Sequence, residues 1–364
     1  MKRSIIWVSA VLAFLSVSDS FSSPSNGGAR KKGLLKKVGE LPRAAETDSA
    51  ISFWLITGMC CDKENNIYIA DSGQNRIFKF DGRGRLLASF GRVGQGPGEF
   101  LGSGRGGSNL RLSYGNNKEI YVMDPGNKRL SAFSMEGRFL RHFWIRGFLP
   151  DSATVDSKGN IYLLSRSGIN LVDCYDADLK YQASFIELEA HLLFPLGRPP
   201  LHRLDLRIPN DYEVIKTIAD DDKLIIVSNY AMRIFAVDTA CNKTYMYEID
   251  DIELRKDLAK RLSEQKTALA NKRLRVNSGP RMVLPSNSIL PFRAFIYQDN
   301  RLFLGYRNSD LQFEIYEHGL SRGFLSVYRF PEPVDGFMLC SDKDGQIYAT
   351  MEGRTKVGIF RIIE

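Results

Sequence analysis

Beyond residue 58 the chain alternates short apolar runs with clusters of Asp, Asn and Gly at a regular spacing. The stretch 58–91, GMCCDKENNIYIADSGQNRIFKFDGRGRLLASFG, holds four such runs: GMCC, IYIA, RIFKF and LLASF. The clusters between them are DKENN, DSGQN and DGRGR. Alternation with β-branched and aromatic enrichment predicts strands, and Asp, Asn and Gly supply the turns. The unit recurs at 112–147, 153–187, 215–249 and 292–330, and a copy at 337–363 stops after three strands, at VGIFRII. Four strands repeated radially make a β-propeller blade, so the predicted fold is an all-β, six-bladed β-propeller of four-stranded antiparallel blades. The strand missing from the last copy has a candidate in LLKKVGEL, 34–41, which matches LLASFG of the first. This N-terminal strand is predicted to close the last blade, so that both chain ends share one sheet and no edge stays open.

IYIADSGQNRI and IYVMDPGNKRL resemble the core of NHL-type repeats, and GQGPGEF (94–100) is similar to segments of the NHL/TolB-like six-bladed propellers common among exported bacterial proteins. The resemblance spans about 34–364 and is weakest in the fourth and fifth copies, where SNYAMRI and YRNSDLQ replace the D-x-G-x-N-R turn. It implies a fold and no single activity, since propellers host binding proteins, lyases and hydrolases alike.

The long connections, 92–111, 187–214 and 250–291, all fall between the last strand of one copy and the first of the next. Blade geometry puts them on the same rim as the turns between second and third strands, and loops on a rigid scaffold carry function. The candidate ligand-binding residues there are Asp71, Asn75, Arg76, Arg92, Arg105, Asp124, Asn127 and Arg129. The 92–111 connection has seven Gly in twenty residues but neither GK[ST] nor a following helix, so it reads as a close crossing over the blade. Arg92 and Arg105 remain candidates for an anion. Between the fourth and fifth blades, 250–281 reads as a helical insertion: Leu254, Leu258, Leu262, Leu269 and Val276 make one stripe at near-helical spacing. Its basic face suits membrane-surface contact through 252–276, but it lacks Trp or Phe anchors and is expected to pack on the rim.

Lys2 and Arg3, a thirteen-residue apolar run from Ile5 to Val17, and small residues at Ser16, Ser18 and Ser20 form a signal-peptide pattern too short to span a bilayer. The expected organisation is a signal peptide at 1–20, a flexible basic linker at 21–33 and one propeller at 34–364, in the periplasm or secreted. The 364 residues thus make one ring with insertions. The net charge of +8 concentrates in 252–281, with nine Lys/Arg against three Asp/Glu, and in Arg30, Lys31, Lys32, Lys36 and Lys37. The remainder is net acidic. Export and this localised charge argue against nucleic acid as partner.

Catalytic signals are thin. His142, His191, His202 and His318 occupy unlike places in the repeat, so no imidazole ring converges on the channel. Asp71 and Asp124 are equivalent, but Ser165 and Ser228 replace them in the next two copies, and turn-forming Asp is the better reading. No cofactor or metal is expected. Five Cys are sparse and without a CxxC pair; Cys60 and Cys340 align in blades that adjoin at ring closure, and two buried thiols are expected there. The function predicted is a monomeric, non-enzymatic scaffold binding a protein, peptide or glycan on one rim; the alternative is a hydrolase or lyase acting in the central funnel.

Overall fold

The computed structural model describes residues 31–42, 51–102, 109–145 without 116, 150–187 without 151 and 165–169, 212–217, 223–228, 233–239, 243–249, 254, 256, 257, 260, 292–320 without 309 and 311, and 323–363 without 337. The strands are β1 (Lys31–Leu41), then β2 (Ile56–Cys61), β3 (Ile67–Asp71), β4 (Arg76–Phe80) and β5 (Leu86–Phe90). They continue as β6 (Arg111–Gly115), β7 (Glu119–Asp124), β8 (Arg129–Ser134), β9 (Phe139–Trp144), β10 (Ser152–Val155), β11 (Ile161–Leu164), β12 (Asn170–Tyr175) and β13 (Tyr181–Glu187). The remainder are β14 (Tyr212–Thr217), β15 (Lys223–Ser228), β16 (Arg233–Asp238), β17 (Lys243–Glu248), β18 (Phe292–Gln298), β19 (Arg301–Arg307), β20 (Phe313–Gly319), β21 (Gly323–Arg329), β22 (Leu339–Ser341), β23 (Ile347–Met351) and β24 (Lys356–Ile363). Strands β2 to β17 form four antiparallel four-stranded sheets in sequence order. The third and fourth runs of the first repeat, RIFKF and LLASF, coincide with β4 and β5.

The first strands of successive sheets touch in the order β2, β6, β10, β14, β18, β22 and back to β2. Apolar clusters fill the spaces between neighbouring sheets. Between the first two lie Tyr68, Ile77, Phe100, Ile120 and Phe133, and between the last and the first lie Met59, Ile69, Phe78, Tyr348 and Val357. This is a propeller-like fold. A sheet covered on both faces needs apolar residues on both, which is why IYIAD is buried throughout while the outer strand LLASF alternates.

β1 is where sequence reading and structure differ most usefully. It pairs antiparallel with β24 from Leu34↔Ile363 to Leu41↔Val357. Its first residues also pair parallel with β21, from Lys31↔Ser326 to Leu34↔Arg329. Two repeats therefore merge into eight strands in the order β18-β19-β20-β21-β1-β24-β23-β22. Gly33 permits the crossing, because a Cβ there would lie 2.6 Å from the Tyr328 ring. The linker expected at 21–33 thus ends in ordered strand from Lys31.

The expected helical insertion at 250–281 is corrected: no α-helix is delimited among the described residues. Leu254, Lys256, Asp257 and Lys260 have helical backbone, and the rest of that range lies outside the described residues. Leu254 is held by packing: it is buried with Val227, Ile234, Ile249, Phe292 and Tyr306, and Tyr306 donates a hydrogen bond to Asp257.

The turns repeat a side-chain device. Asp62, Asp156 and Asp342 each accept backbone N–H groups two and four residues on, and each also accepts the hydroxyl of the following Tyr (Tyr68, Tyr162, Tyr348). Burial, reinforced by Asp62 beside Tyr68, pushes that phenol far up, so it stays a donor. In the second repeat Glu119 takes over, accepting from Tyr121 Oη at 2.7 Å and from Arg141 at 2.8 and 2.7 Å. Burial tends to raise the Glu119 carboxyl, but Arg141 and Tyr121 outweigh it and hold the group below its ordinary value. A carboxyl depressed on folding stabilises above its unfolded value and loses that contribution as pH falls through the folded one. Glu119→Gln should therefore cost about 1 kcal/mol at pH 7 and progressively less as pH falls below the ordinary carboxylate range, measured by urea unfolding across a pH series.

Candidate functional site

The rim that carries the turns between second and third strands is organised by two aspartates. Asp71 ends β3, is fully buried, and accepts hydrogen bonds from the backbone N–H of Trp54 at 2.7 Å and Leu55 at 3.0 Å. Gln74 adds its side-chain amide at 2.8 Å. Asp124 ends β7 and accepts from Leu101 N and from Asn127 Nδ2 at 2.7 Å. Burial raises its carboxyl above the ordinary value, while Asn127, the backbone N–H groups and Arg129 act in the other direction.

Arg129, the first residue of β8, is 1% exposed. Its guanidinium donates to the carbonyls of Gln95 at 2.8 Å, Gly96 at 2.9 Å and Glu99 at 2.6 Å. Asn127 donates to Gly94 O at 2.9 Å, and Asn75 Oδ1 accepts from Gly102 N at 2.6 Å. The Gly-rich crossing is thus suspended from two turns over Phe100, which is fully buried. Gly126 is required beneath it, since a Cβ there would collide with the Leu101 carbonyl. Within the crossing, Glu99 accepts from Gly96 N and from Arg92 Nε, both at 2.8 Å, and these contacts hold its carboxyl below the ordinary value.

The eight predicted residues therefore separate. Asp71, Asn75, Asp124, Asn127 and Arg129 are buried, with polar atoms committed to backbone. Arg76 and Arg92 are exposed, Arg92 in an ion pair with Glu99. Arg105 lies outside the described residues. Sequence reading missed three exposed apolar side chains on this rim: Trp54 (64%), Val93 (64%) and Trp144 (59%). Trp54 is placed by Asp71, Val93 opens the crossing through its bridge to Phe100, and Trp144 pairs with Arg129 across the strands, the guanidinium 5.9 Å from its ring centroid. A signal existed: Trp7 falls in the expected leader, so the other two of the chain's three Trp are both here.

Asp335, before β22, was also missed; it accepts from Thr350 Oγ1 and from Arg354 N at 2.8 Å, serving the turn where Met351 replaces the repeat's Asp. No group of three or more His, Cys, Asp or Glu able to hold a metal occurs among the described residues. Nor is any helix among them long and apolar enough to cross a membrane.

Cys60 and Cys340 are both buried free thiols. The neighbour across the closure is Cys61, whose Sγ lies 3.4 Å from Cys340 Sγ. Strand alternation explains this: Cys60 packs with Phe100 and Ile120 toward the second sheet, while Cys61 packs with Cys340 and Tyr348.

No family model and no curated protein matches the chain. Solved structures do. It is similar to a "Putative exported protein" of Bacteroides fragilis (13% identity, 92% of this chain and 99% of that one, TM-score 0.54). A member of the DUF4221 family from Bacteroides vulgatus is similar at 9% identity, 92% and 98% coverage and TM-score 0.53. Virginiamycin B lyase from Staphylococcus aureus is similar at 12% identity, 90% and 100% coverage and TM-score 0.51. At these identities the likeness establishes the propeller-like fold alone.

Proposed function

We propose that the protein is an exported six-bladed propeller of NHL type, acting as a binding scaffold for a protein, peptide or glycan on the rim around Trp54, Val93 and Trp144. The observation that carries this reading is the exposure of Trp54 and Val93 on loops whose backbones are fixed by buried Asp71 and Arg129, and of Trp144 at the end of β9, paired with Arg129. Large apolar side chains held out by a rigid support are what a binding surface needs and what a solvated turn does not. In this reading Asp71, Asn75, Asp124, Asn127 and Arg129 position the rim, and Arg76 and Arg92 supply polar contacts beside the aromatics. The four-strand repeats, the signal-like N-terminus and the likeness to a "Putative exported protein" favour this fold and location. The likeness to a lyase is one of fold and carries no chemistry here.

The test is binding of the mature chain to peptide and glycan arrays and to extract of the native envelope, repeated with Trp54→Ala and Trp144→Ala. Each substitution should weaken capture about 10- to 30-fold, as truncation of an interface aromatic does, with little change in melting temperature. Unchanged capture by both variants would move the site off this rim.

A further inference from the structure

We propose that Cys61 and Cys340 form an oxidisable pair, a site of covalent modification whose disulfide staples the first repeat to the last. The sulfurs are 3.4 Å apart on β2 and β22, the first strands that meet where the ring closes. Both sit in one apolar cluster with Met59, Tyr348, Val357 and Ile359, which keeps their side chains facing each other. The turns beyond them are tied across the same seam: Asn65 Nδ2 donates to Asp344 Oδ2 at 2.6 Å, and Lys343 N donates to Asn65 Oδ1 at 3.2 Å. Bond formation needs an approach of roughly 1.4 Å, since a disulfide is ~2.05 Å long, and side-chain rotation within a fixed seam can supply it. Cys60, one residue earlier, faces the opposite sheet interface and is excluded.

The oxidant is a disulfide, either a small molecule or an oxidoreductase of an oxidising compartment. One cysteine, as thiolate, attacks the oxidant and expels one of its sulfurs as thiol; the second cysteine then displaces the other. Two protons and two electrons leave the pair, and one disulfide becomes two thiols. Cys61 is the half-buried member and the expected point of attack. Burial, and then Cys340 beside it, pushes its thiol well up, so exchange should be slow at neutral pH and faster as pH rises.

The full chain, incubated with oxidised glutathione, should lose two of its five alkylatable thiols and yield a peptide linking residues 61 and 340. Its melting temperature should rise by about 5 °C or more over the reduced form, because the link closes a very long loop. Cys60→Ser should retain the link, and Cys61→Ser or Cys340→Ser should abolish it. The peptide map of the unsubstituted chain decides the matter even if a variant fails to fold. Free thiols at both positions after exhaustive oxidation, a link through Cys60, or equal melting of linked and reduced protein would each overturn the proposal.

Discussion

Replacing Arg129 by Met should lower the unfolding free energy by about 3–5 kcal/mol, the range for removing one partner of a buried ionic network. The guanidinium satisfies three carbonyls of the 92–102 crossing and stands 3.8 Å from the carboxylate of buried Asp124. Methionine keeps much of the volume and none of the donors, removing three hydrogen bonds from those carbonyls and driving the Asp124 carboxyl further up. Arg129→Lys should fare little better, because an ammonium cannot reach three carbonyls spread over Gln95, Gly96 and Glu99 as a planar fork does. Denaturant unfolding reads the loss, and limited proteolysis should show the crossing cut first. A change below about 1 kcal/mol would mean that water serves those carbonyls as well as the arginine does.

Removing residues 1–42 should abolish cooperative folding of the remainder. β1 carries the outer ladder of β24 and part of that of β21, and it buries Leu35 and Leu41, each worth about 1.5–3 kcal/mol. Without it, two strand edges lie open and invite association with other chains. Gly33→Val dissects the two roles, since it blocks the approach to Tyr328 while sparing most of the antiparallel ladder. That variant should remain folded and melt a few degrees lower, at about 1–2 kcal/mol in cost. Calorimetry of both forms is the measurement. If the truncated chain melts as sharply as the full one, β1 is dispensable to the fold.

Much of the architecture could be read from the repeats, because each strand is short, each turn has its own Asp, Asn or Gly, and the units resemble one another. IYIA, RIFKF and LLASF fall on β3, β4 and β5 within one residue. The pairing of 34–41 with the last strand was also legible, as a missing fourth run with a candidate to fill it. The parallel contact of Lys31 to Leu34 with β21 was not, because it rests on one glycine admitting one tyrosine and follows no period. The 250–281 stretch was misread for the opposite reason: its leucines do fall at helical spacing, but spacing alone does not say which of them finds a core, as Leu254 does. At the rim, polar residue types drew attention to Asp71, Asp124 and Arg129. An isolated sequence cannot reveal whether such a residue offers its polar atoms to a ligand or gives them to its own loop. The exposure of Trp54 and Trp144 depends on that same loop geometry and emerges only with it.

The ladder between β1 and β24 also predicts an order of events in folding. Each hairpin within a repeat closes over a turn of a few residues, whereas Leu34 meets Ile363 only after nearly the entire polypeptide has been brought round. The entropy of closing a loop grows with its length, and contacts between distant residues slow folding. The sheets of β2 to β17 can assemble on local information, so joining the ends is expected to come last. An arc open at that seam would leave the apolar sides around Met59 and Val357, which share one cluster in the folded protein, facing water. Refolding should show this as a late phase, seen by a probe on β1 and absent from one on β7. A single shared rate at both probes would place closure before or within the main transition.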